Sequence, residues 1–504
     1  MIRKGKIFVW VLALGLAFGL AFGGAGEARD SLTVAHLCDA KTLDPIGTND
    51  VVSSGIDLHI YDTLLTLGTQ GELVPQLAES YEVIDPTTYK FSLRHGVTFH
   101  NGEPFTAKDV KYTFERAKTP LGASIRQYVD DIDSVEVVDD FTVIFRLKRP
   151  FAPFLCTLTC AAGSIVNQKA VEAAGDNYGM NPVGTGPFVL KSWARGDKIV
   201  LERYDGYWGT KPAYKTLVVR SVPEAVNRTI ELESGAADIA YYVSPSDIKR
   251  VEENPKLSLL RTMDNTTTYM GFNCAKAPFD NPKVRIAVSM ALDTIGIQRA
   301  AWRGVGKAPI GPVAPGVRYS SKNFVPHVQD VEGAKKILAE EGVALPMTAE
   351  IWTNDRKERV DMATIIQSQL EEIGIHVEIK VLEWGSYLEN LKRGTHDMFL
   401  LGWPAAAPDP DFALTGVFHS SMAGATNFAF FKDAEVDRRL DEGRGMEDGP
   451  DREAVYEAVQ QRIDALCPWV YLHNDEQIVG TRKDVHGLVL SSRGYHLLTP
   501  VTFE

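Results

Sequence analysis

The sequence predicts an α/β protein of more than one domain. Three observations carry that expectation. The chain has 504 residues, more than one hydrophobic core usually organises. Between residues 346 and 403, apolar positions alternate between a period of two and a period of three to four, the pattern of strands interleaved with helices. The block from Tyr89 to about Leu190 is instead dense in short strands separated by turn residues.

The elements follow in chain order. Leu32 to Leu37 reads as a first strand, ended by the turn Thr42-Leu43-Asp44-Pro45. Ile56 to Leu65 reads as a helix. A strand ends near Arg94, and Asn101-Gly102 supplies a turn. A helix opens at Thr106, an N-cap residue, with Asp109 placing a carboxylate at its positive end. Phe141, Val143, Phe145 and Leu147 alternate with polar residues, and Asp139-Asp140 suits a hairpin turn from the preceding VEVV. The PVGTGP run at 182–187 is a Gly/Pro breaker. It lacks the lysine of a nucleotide loop, so it reads as structural.

The clearest architecture lies further on. Thr348–Trp352 is a strand, and Arg359–Ile373 a helix with Val360, Ala363, Ile366, Leu370 and Ile373 on one face. Gly374 suits its C-cap. Ile375 to Val381 alternates as a strand, Ser386–Lys392 is a helix, and Met398–Trp403 is an apolar, central strand. This β-α-β-α-β order predicts a doubly wound lobe whose ligands bind outside the carboxyl ends of the strands. Thr353-Asn354-Asp355-Arg356 and the loop after Gly402-Trp403 fall at that edge. Helices near 433–444 and 451–466, a strand at 469–472 and a final segment at 477–489 complete the chain.

Hydrophobic content of 44% with 24% charged residues fits a soluble globular body. Residues 1–28 read as a signal peptide. Arg3, Lys4 and Lys6 precede the apolar run Ile7–Phe22, and Gly26-Glu27-Ala28 offers a cleavage site. The competing reading is an uncleaved anchor, since the run extended to Gly26 can just span a bilayer. The net charge is −13, and −15 without residues 1–28, which carry those three cations and Glu27. That balance argues against nucleic acid or an anionic membrane as partner. The five cysteines are Cys38, Cys156, Cys160, Cys274 and Cys467. Export permits disulfides, and an odd count leaves one thiol over in a monomer. Cys156 and Cys160 share a helix face, but their apolar flanks favour core packing over metal binding. No metal site or cofactor is expected.

The string HGVTFHNGEPFTAKDVKYTFER at 95–116 resembles the solute-binding proteins of peptide-type ABC importers, solute-binding family 5. TLDP, HIYDTLLTLG, LVPQLAESYE, NPVGTGPFVL, RYDGYWG, ELESGAADIAYYVSP, TYMGFNCAKAPFDNPKVRIAVSMALD, GPVAPG, GTHDMFLLGW and DPDF continue that resemblance in order. It implies a two-lobed periplasmic-binding-protein fold (type II, cluster C-like) closing like a hinged clamp. Lobe I covers 29–272 with a strand-rich subdomain at about 76–188, lobe II covers 273–475, and 476–504 returns to lobe I. The hinges fall near Tyr269–Asn273 and His473–Val479. The implied partners are a short peptide or similar solute and the permease and ATPase of an inner-membrane transporter, with the protein a monomer.

In the family's peptide binders, the third residue past the Gly-Trp is an aspartate that pairs with the peptide α-ammonium. Here that position is Ala406, followed by Ala407, while Asp409-Pro410 keeps the register. Two readings follow. The amine is held elsewhere, by Asp409 or Asp411, or the solute lacks the α-amine of an ordinary peptide N-terminus, as with an oligosaccharide or a blocked or γ-linked peptide. Trp403 and Trp384 are candidates for stacking on the solute, and Arg356 for pairing with a carboxylate. Asn427 and Tyr269 complete the expected ligand-side set. A sensor component presenting ligand to a receptor is a second class. A secreted hydrolase is disfavoured: no Gly-x-Ser-x-Gly elbow and no HExxH occur.

Overall fold

The computed structural model describes residues 29–68, 72–325 and 328–504. The signal-peptide reading of 1–28 lies outside them. Among the described residues, no helix is long and apolar enough to cross a membrane.

One ten-stranded sheet organises the molecule. From edge to edge it runs Ile375–Leu382, Met347–Asn354, Met398–Pro404, Leu257–Phe272, Trp469–Arg482, Ile239–Ala240, Ser31–His36, Thr216–Ser221, Lys198–Arg203 and Phe188–Ala194. The first three strands are mutually parallel. Ser31–His36 is parallel to both of its neighbours. Each parallel group is the centre of one lobe. The two long strands, Leu257–Phe272 and Trp469–Arg482, pair antiparallel and join the groups. Their register slips between Met263 and Thr267, an irregularity that bends and twists a paired ladder.

Lobe II forms as its periodicity requires. The Lys357–Glu371 helix buries Met362, Ala363, Ile366 and Leu370, which share a core with Ile351, Ile375 and Leu400. A second sheet of four antiparallel strands, Ala78–Asp85, Thr88–Leu93, Thr142–Leu147 and Ile132–Asp139, builds the strand-rich subdomain. The Ala107–Ala117 helix packs on it. The Asp109 carboxylate accepts the Thr106 backbone N–H at 3.0 Å and its hydroxyl at 3.1 Å, fixing the helix start. This subdomain shares a core with the segment after Trp403: Phe145 and Phe154 are continuous with Ala405, Ala407 and Phe412.

Two expectations are corrected. The helix expected over 56–65 spans Val51–Ile60, opened by the Asp50 side chain accepting from the Ser53 N–H; Leu65 already belongs to a strand. The separate segments expected at 469–472 and 477–489 are one strand from Trp469 to Arg482. The polar run His473-Asn474-Asp475-Glu476-Gln477 breaks the hydrophobic pattern and carries the slips of register, but the strand continues through it. All five cysteines are free thiols. Burial raises the Cys156 thiol to about 12 and the Cys160 thiol to about 11, as for inert packed side chains.

Candidate functional site

The carboxyl ends of the two parallel groups face each other across the long strands. On lobe I, the strand Ser31–His36 leads to Cys38, and Ile239–Ala240 leads to Tyr241 and Tyr242. On lobe II, Met347–Asn354 leads to Asp355 and Arg356. The lobes meet at the rim, where the Lys41 ammonium lies 3.7 Å from the Glu389 carboxylate.

Three guanidiniums converge in this cleft. Arg356 sits at the N-cap of the Lys357–Glu371 helix. Its guanidinium lies 4.8 Å from the Trp302 ring centroid, 3.3 Å from Glu358 and 3.5 Å from Asp475. Burial works against its charge, but Asp475 and Glu358 hold its pKa above the ordinary value. Arg359, one turn inside the helix, donates to Asn354 Oδ1 at 2.9 Å, and its Nε has no partner. From lobe I, Arg228 donates only to main-chain carbonyls, those of Tyr241 at 2.8 Å, Val222 at 2.8 Å, Pro223 at 2.7 Å and Tyr242 at 2.9 Å. Burial first, and then repulsion from Arg356, lowers both Arg228 and Arg359 to about 10. Neither has an ion pair among the described residues. Two buried cations without counter-ions, beside a helix N-terminus, form a field that favours an anion.

The long strands supply the floor. The Asp264 carboxylate accepts the Thr266 hydroxyl at 2.7 Å and the Gln477 side-chain amide. Asp475 accepts the Thr268 hydroxyl at 2.6 Å. Burial, and then the neighbouring Asp475 charge, push the Asp264 carboxyl up to about 7. The His473 ring stacks on Trp302 at 3.9 Å and is held neutral, with burial lowering it to about 4.

The sequence-expected residues divide. Arg356 stands in the cleft, and Trp384 is partly exposed with the Arg359 guanidinium 5.9 Å from its ring centroid. Trp403 is partly buried, and its indole N–H donates to the Phe412 carbonyl at 2.9 Å. Ala407 is fully buried and Ala406 is 9% exposed, its carbonyl 3.9 Å from Cys160 Sγ.

The remaining candidates have partners within the fold. Asp409 spends both carboxylate oxygens on Arg452, at 2.7 and 2.9 Å. Asp411 accepts the Thr415 hydroxyl at 2.6 Å and pairs with Arg444 at 3.2 Å. The Asn427 amide donates to the Phe431 carbonyl at 2.9 Å and closes its own loop. Tyr269 is buried with its ring stacked 3.3 Å from Trp469. Sequence reasoning missed Arg228, Arg359, Asp264 and Gln477. The available signal was a pair of polar runs, DNTTT at 264–268 and HNDEQ at 473–477, inside otherwise apolar strands.

Two α/β lobes tied by two crossing strands, with charged groups between them, define a hinged solute-binding clamp. The profile of the bacterial extracellular solute-binding proteins, family 5, matches residues 72–425, and the chain belongs to that family. It is 30% identical over 490 residues to the glutathione-binding protein GsiB of Salmonella choleraesuis strain SC-B67, covering 95% of each chain. Among solved structures it resembles the ABC transporter-associated periplasmic binding protein DppA from Helicobacter pylori in complex with peptide STSA. That match has a TM-score of 0.90 at 28% identity and covers 95% of this chain and 98% of that one. It also resembles AgaA of A. tumefaciens R10 in complex with agropinic acid, with a TM-score of 0.88, 28% identity, and 94% and 99% coverage.

Proposed function

We propose that this protein captures a short peptide or peptide-like solute carrying a carboxylate, closes its lobes on it, and delivers it to the permease and ATPase of an ABC importer. In this reading the mature chain is a periplasmic monomer that makes no covalent bond to its cargo. The observation that carries the reading is the set Arg356, Arg359 and Arg228, drawn from both lobes, in which Arg359 and Arg228 have no ion pair among the described residues. A carboxylate entering between them meets Arg356 and the helix N-terminus on one lobe and the Arg228 field on the other. Contacts made to both lobes at once favour the closed form over the open one. The names of the relatives agree, since a glutathione binder and a peptide complex both concern carboxylate-bearing solutes. An uncharged oligosaccharide gives these guanidiniums no anion.

Two measurements test it. Native mass spectrometry of the purified protein should show a retained mass in the peptide range. Calorimetry with glutathione and with Met-Leu should show binding of at least one, weakened by about 30-fold or more in Arg356→Gln. That loss matches the roughly 2 kcal/mol or more of a charge-assisted contact. Equal affinity of wild type and Arg356→Gln for every binding probe would sink the proposal.

A further inference from the structure

Accepting that reading, the other charge of a peptide-like solute needs a place. The position after Trp403 offers Ala406, and Asp409 and Asp411 are committed to Arg452 and Arg444. The floor of the cleft offers something else. Asp264 is 5% exposed and has no ion pair among the described residues. Its two contacts are neutral, the Thr266 hydroxyl and the Gln477 amide. Gln477 is 3% exposed, and its Oε1 has no hydrogen-bond partner. That oxygen shares a carbon with the Nε2 that contacts Asp264, so the two acceptors lie within one side-chain amide of each other. Asn265, next in the chain and 2% exposed, also leaves both atoms of its amide unpartnered.

The surroundings place this group beside the carboxylate-binding arginine. Asp475 touches Arg356 at 3.5 Å on one side and acts on Asp264 on the other. Tyr242 of lobe I closes the space, its hydroxyl near the Gln477 amide. A buried carboxylate with an adjacent open carbonyl oxygen, and no cation of its own, is an acceptor set lacking a donor that carries positive charge. A primary ammonium has three N–H donors and one positive charge, and it answers both deficits. We infer that Asp264, with Gln477 Oε1, is the ammonium subsite of the cleft, standing in for the carboxylate that Ala406 does not provide. The class of ligand is then a zwitterion whose amine and carboxylate meet the hinge strands and Arg356 respectively.

The experiment is calorimetry with four probes, glutathione, Met-Leu and the N-acetylated form of each, on the full-length mature protein and on Asp264→Asn, Gln477→Leu and Arg356→Gln. For whichever peptide binds, acetylation should weaken binding to wild type by about 30-fold or more. Asp264→Asn should remove most of that discrimination by weakening the free-amine form alone, leaving the acetylated form within about threefold. Gln477→Leu, which keeps the carboxylate, should show the same pattern at roughly a third of the size on a logarithmic scale. Circular dichroism and thermal melts establish that each variant is folded, and Gln477→Leu carries the test if Asp264→Asn is not.

Retained discrimination in both variants overturns the inference, as does wild-type indifference to acetylation. If discrimination tracks Asp264 but Arg356→Gln binds normally, the carboxylate reading fails alone. If Arg356 matters and Asp264 does not, the ammonium subsite fails alone. No binding of any of the four probes overturns both.

Discussion

Two buried aspartates, 145 positions apart in the chain, show how this protein separates framework from site. Asp409 follows the central strand of lobe II and sits against Arg452, whose side chain is wholly buried. Both carboxylate oxygens are held bidentately, and the same guanidinium also donates to the Gly443 carbonyl at 2.9 Å. Asp264, on the first long strand, is as deeply buried but has only neutral contacts. One carboxylate is matched within the fold; the other is left with its charge unanswered. Burying a charge is tolerable when it is paired and costly when it is not. The unmatched aspartate therefore marks the place where the fold reserves an interaction for something else.

The largest way to test that contrast is to unmatch Asp409. Arg452→Met keeps much of the volume and strands a buried carboxylate. It should destabilise the protein by about 3–5 kcal/mol, read as a lowered denaturant midpoint at neutral pH. Because Asp409 is framework, the fraction that remains folded should bind its ligand within about threefold of wild type. A small stability loss with a large affinity loss would reverse the assignment of the two aspartates.

Next in size is the effect of removing the unmatched charge. Asp264 is faced by Asp475 and Gln477 on the second long strand, by Thr266 on its own strand, by Arg356 of lobe II and by Tyr242 of lobe I. Burial and Asp475 raise its carboxyl from 3.8 to about 7. Between about pH 4 and pH 7 the folded state thus holds a proton that the unfolded chain has released. The slope of stability with pH follows the protons bound in the unfolded minus the folded state, so this group makes stability fall as pH rises through that window. Asp264→Asn removes the penalty. Ligand-free, it should be more stable than wild type at pH 8 by on the order of 2–4 kcal/mol, and the gap should close by pH 4. A variant that is less stable than wild type at pH 8 would show that Asp264 belongs to the framework after all.

The same titration sharpens the binding side. An ammonium arriving beside Asp264 favours its ionised form and expels the proton. Free-amine probes should therefore bind roughly three- to fivefold more tightly at pH 8 than at pH 6, less than the carboxyl alone would give because an α-amino group itself loses its proton near pH 8. Acetylated probes should show no such trend. A common pH profile for both forms would place the amine away from Asp264.

The contrast also explains what could be read from the sequence. Lobe II was legible because its helix face and alternating strands repeat at the periods that burial imposes. Ala363 and Ile366 or Val377 and Ile375 point where 3.6- and 2-residue repeats put them. The family resemblance set the two-lobed order through its ordered motifs. The internal partners of the expected ligand-side residues were hidden for a physical reason. Asp409 and Asp411 follow the carboxyl end of a central strand, where chemistry is expected, and their pairing with arginines from helices thirty and more residues away does not show in the sequence. The floor of the cleft escaped because polar residues inside a strand break the hydrophobic period. His473 to Glu476 therefore read as the gap between two segments, whereas one strand runs through it with two slips of register. In the middle of a strand that crosses between lobes, loss of apolar patterning marked the floor of the cleft.

The smallest expected effect lies at the rim. Lys41 and Glu389 face each other across the lobes at 3.7 Å with side chains 46% and 55% exposed. Glu389 also accepts from Lys392 of its own helix at 2.8 Å, so it does not depend on Lys41 for a partner. Exposed pairs of this kind contribute about 0.2–1 kcal/mol and are screened by salt. Lys41→Ala should weaken ligand affinity by no more than about fivefold at low ionic strength, through a slightly less favoured closed form, and by less than twofold at 0.5 M salt. The interactions that close this clamp would then be those in its interior, where the arginines and Asp264 wait for opposite charges. A loss at the rim comparable to that of Arg356→Gln would move the energetic centre of closure from the ligand to the lobes themselves.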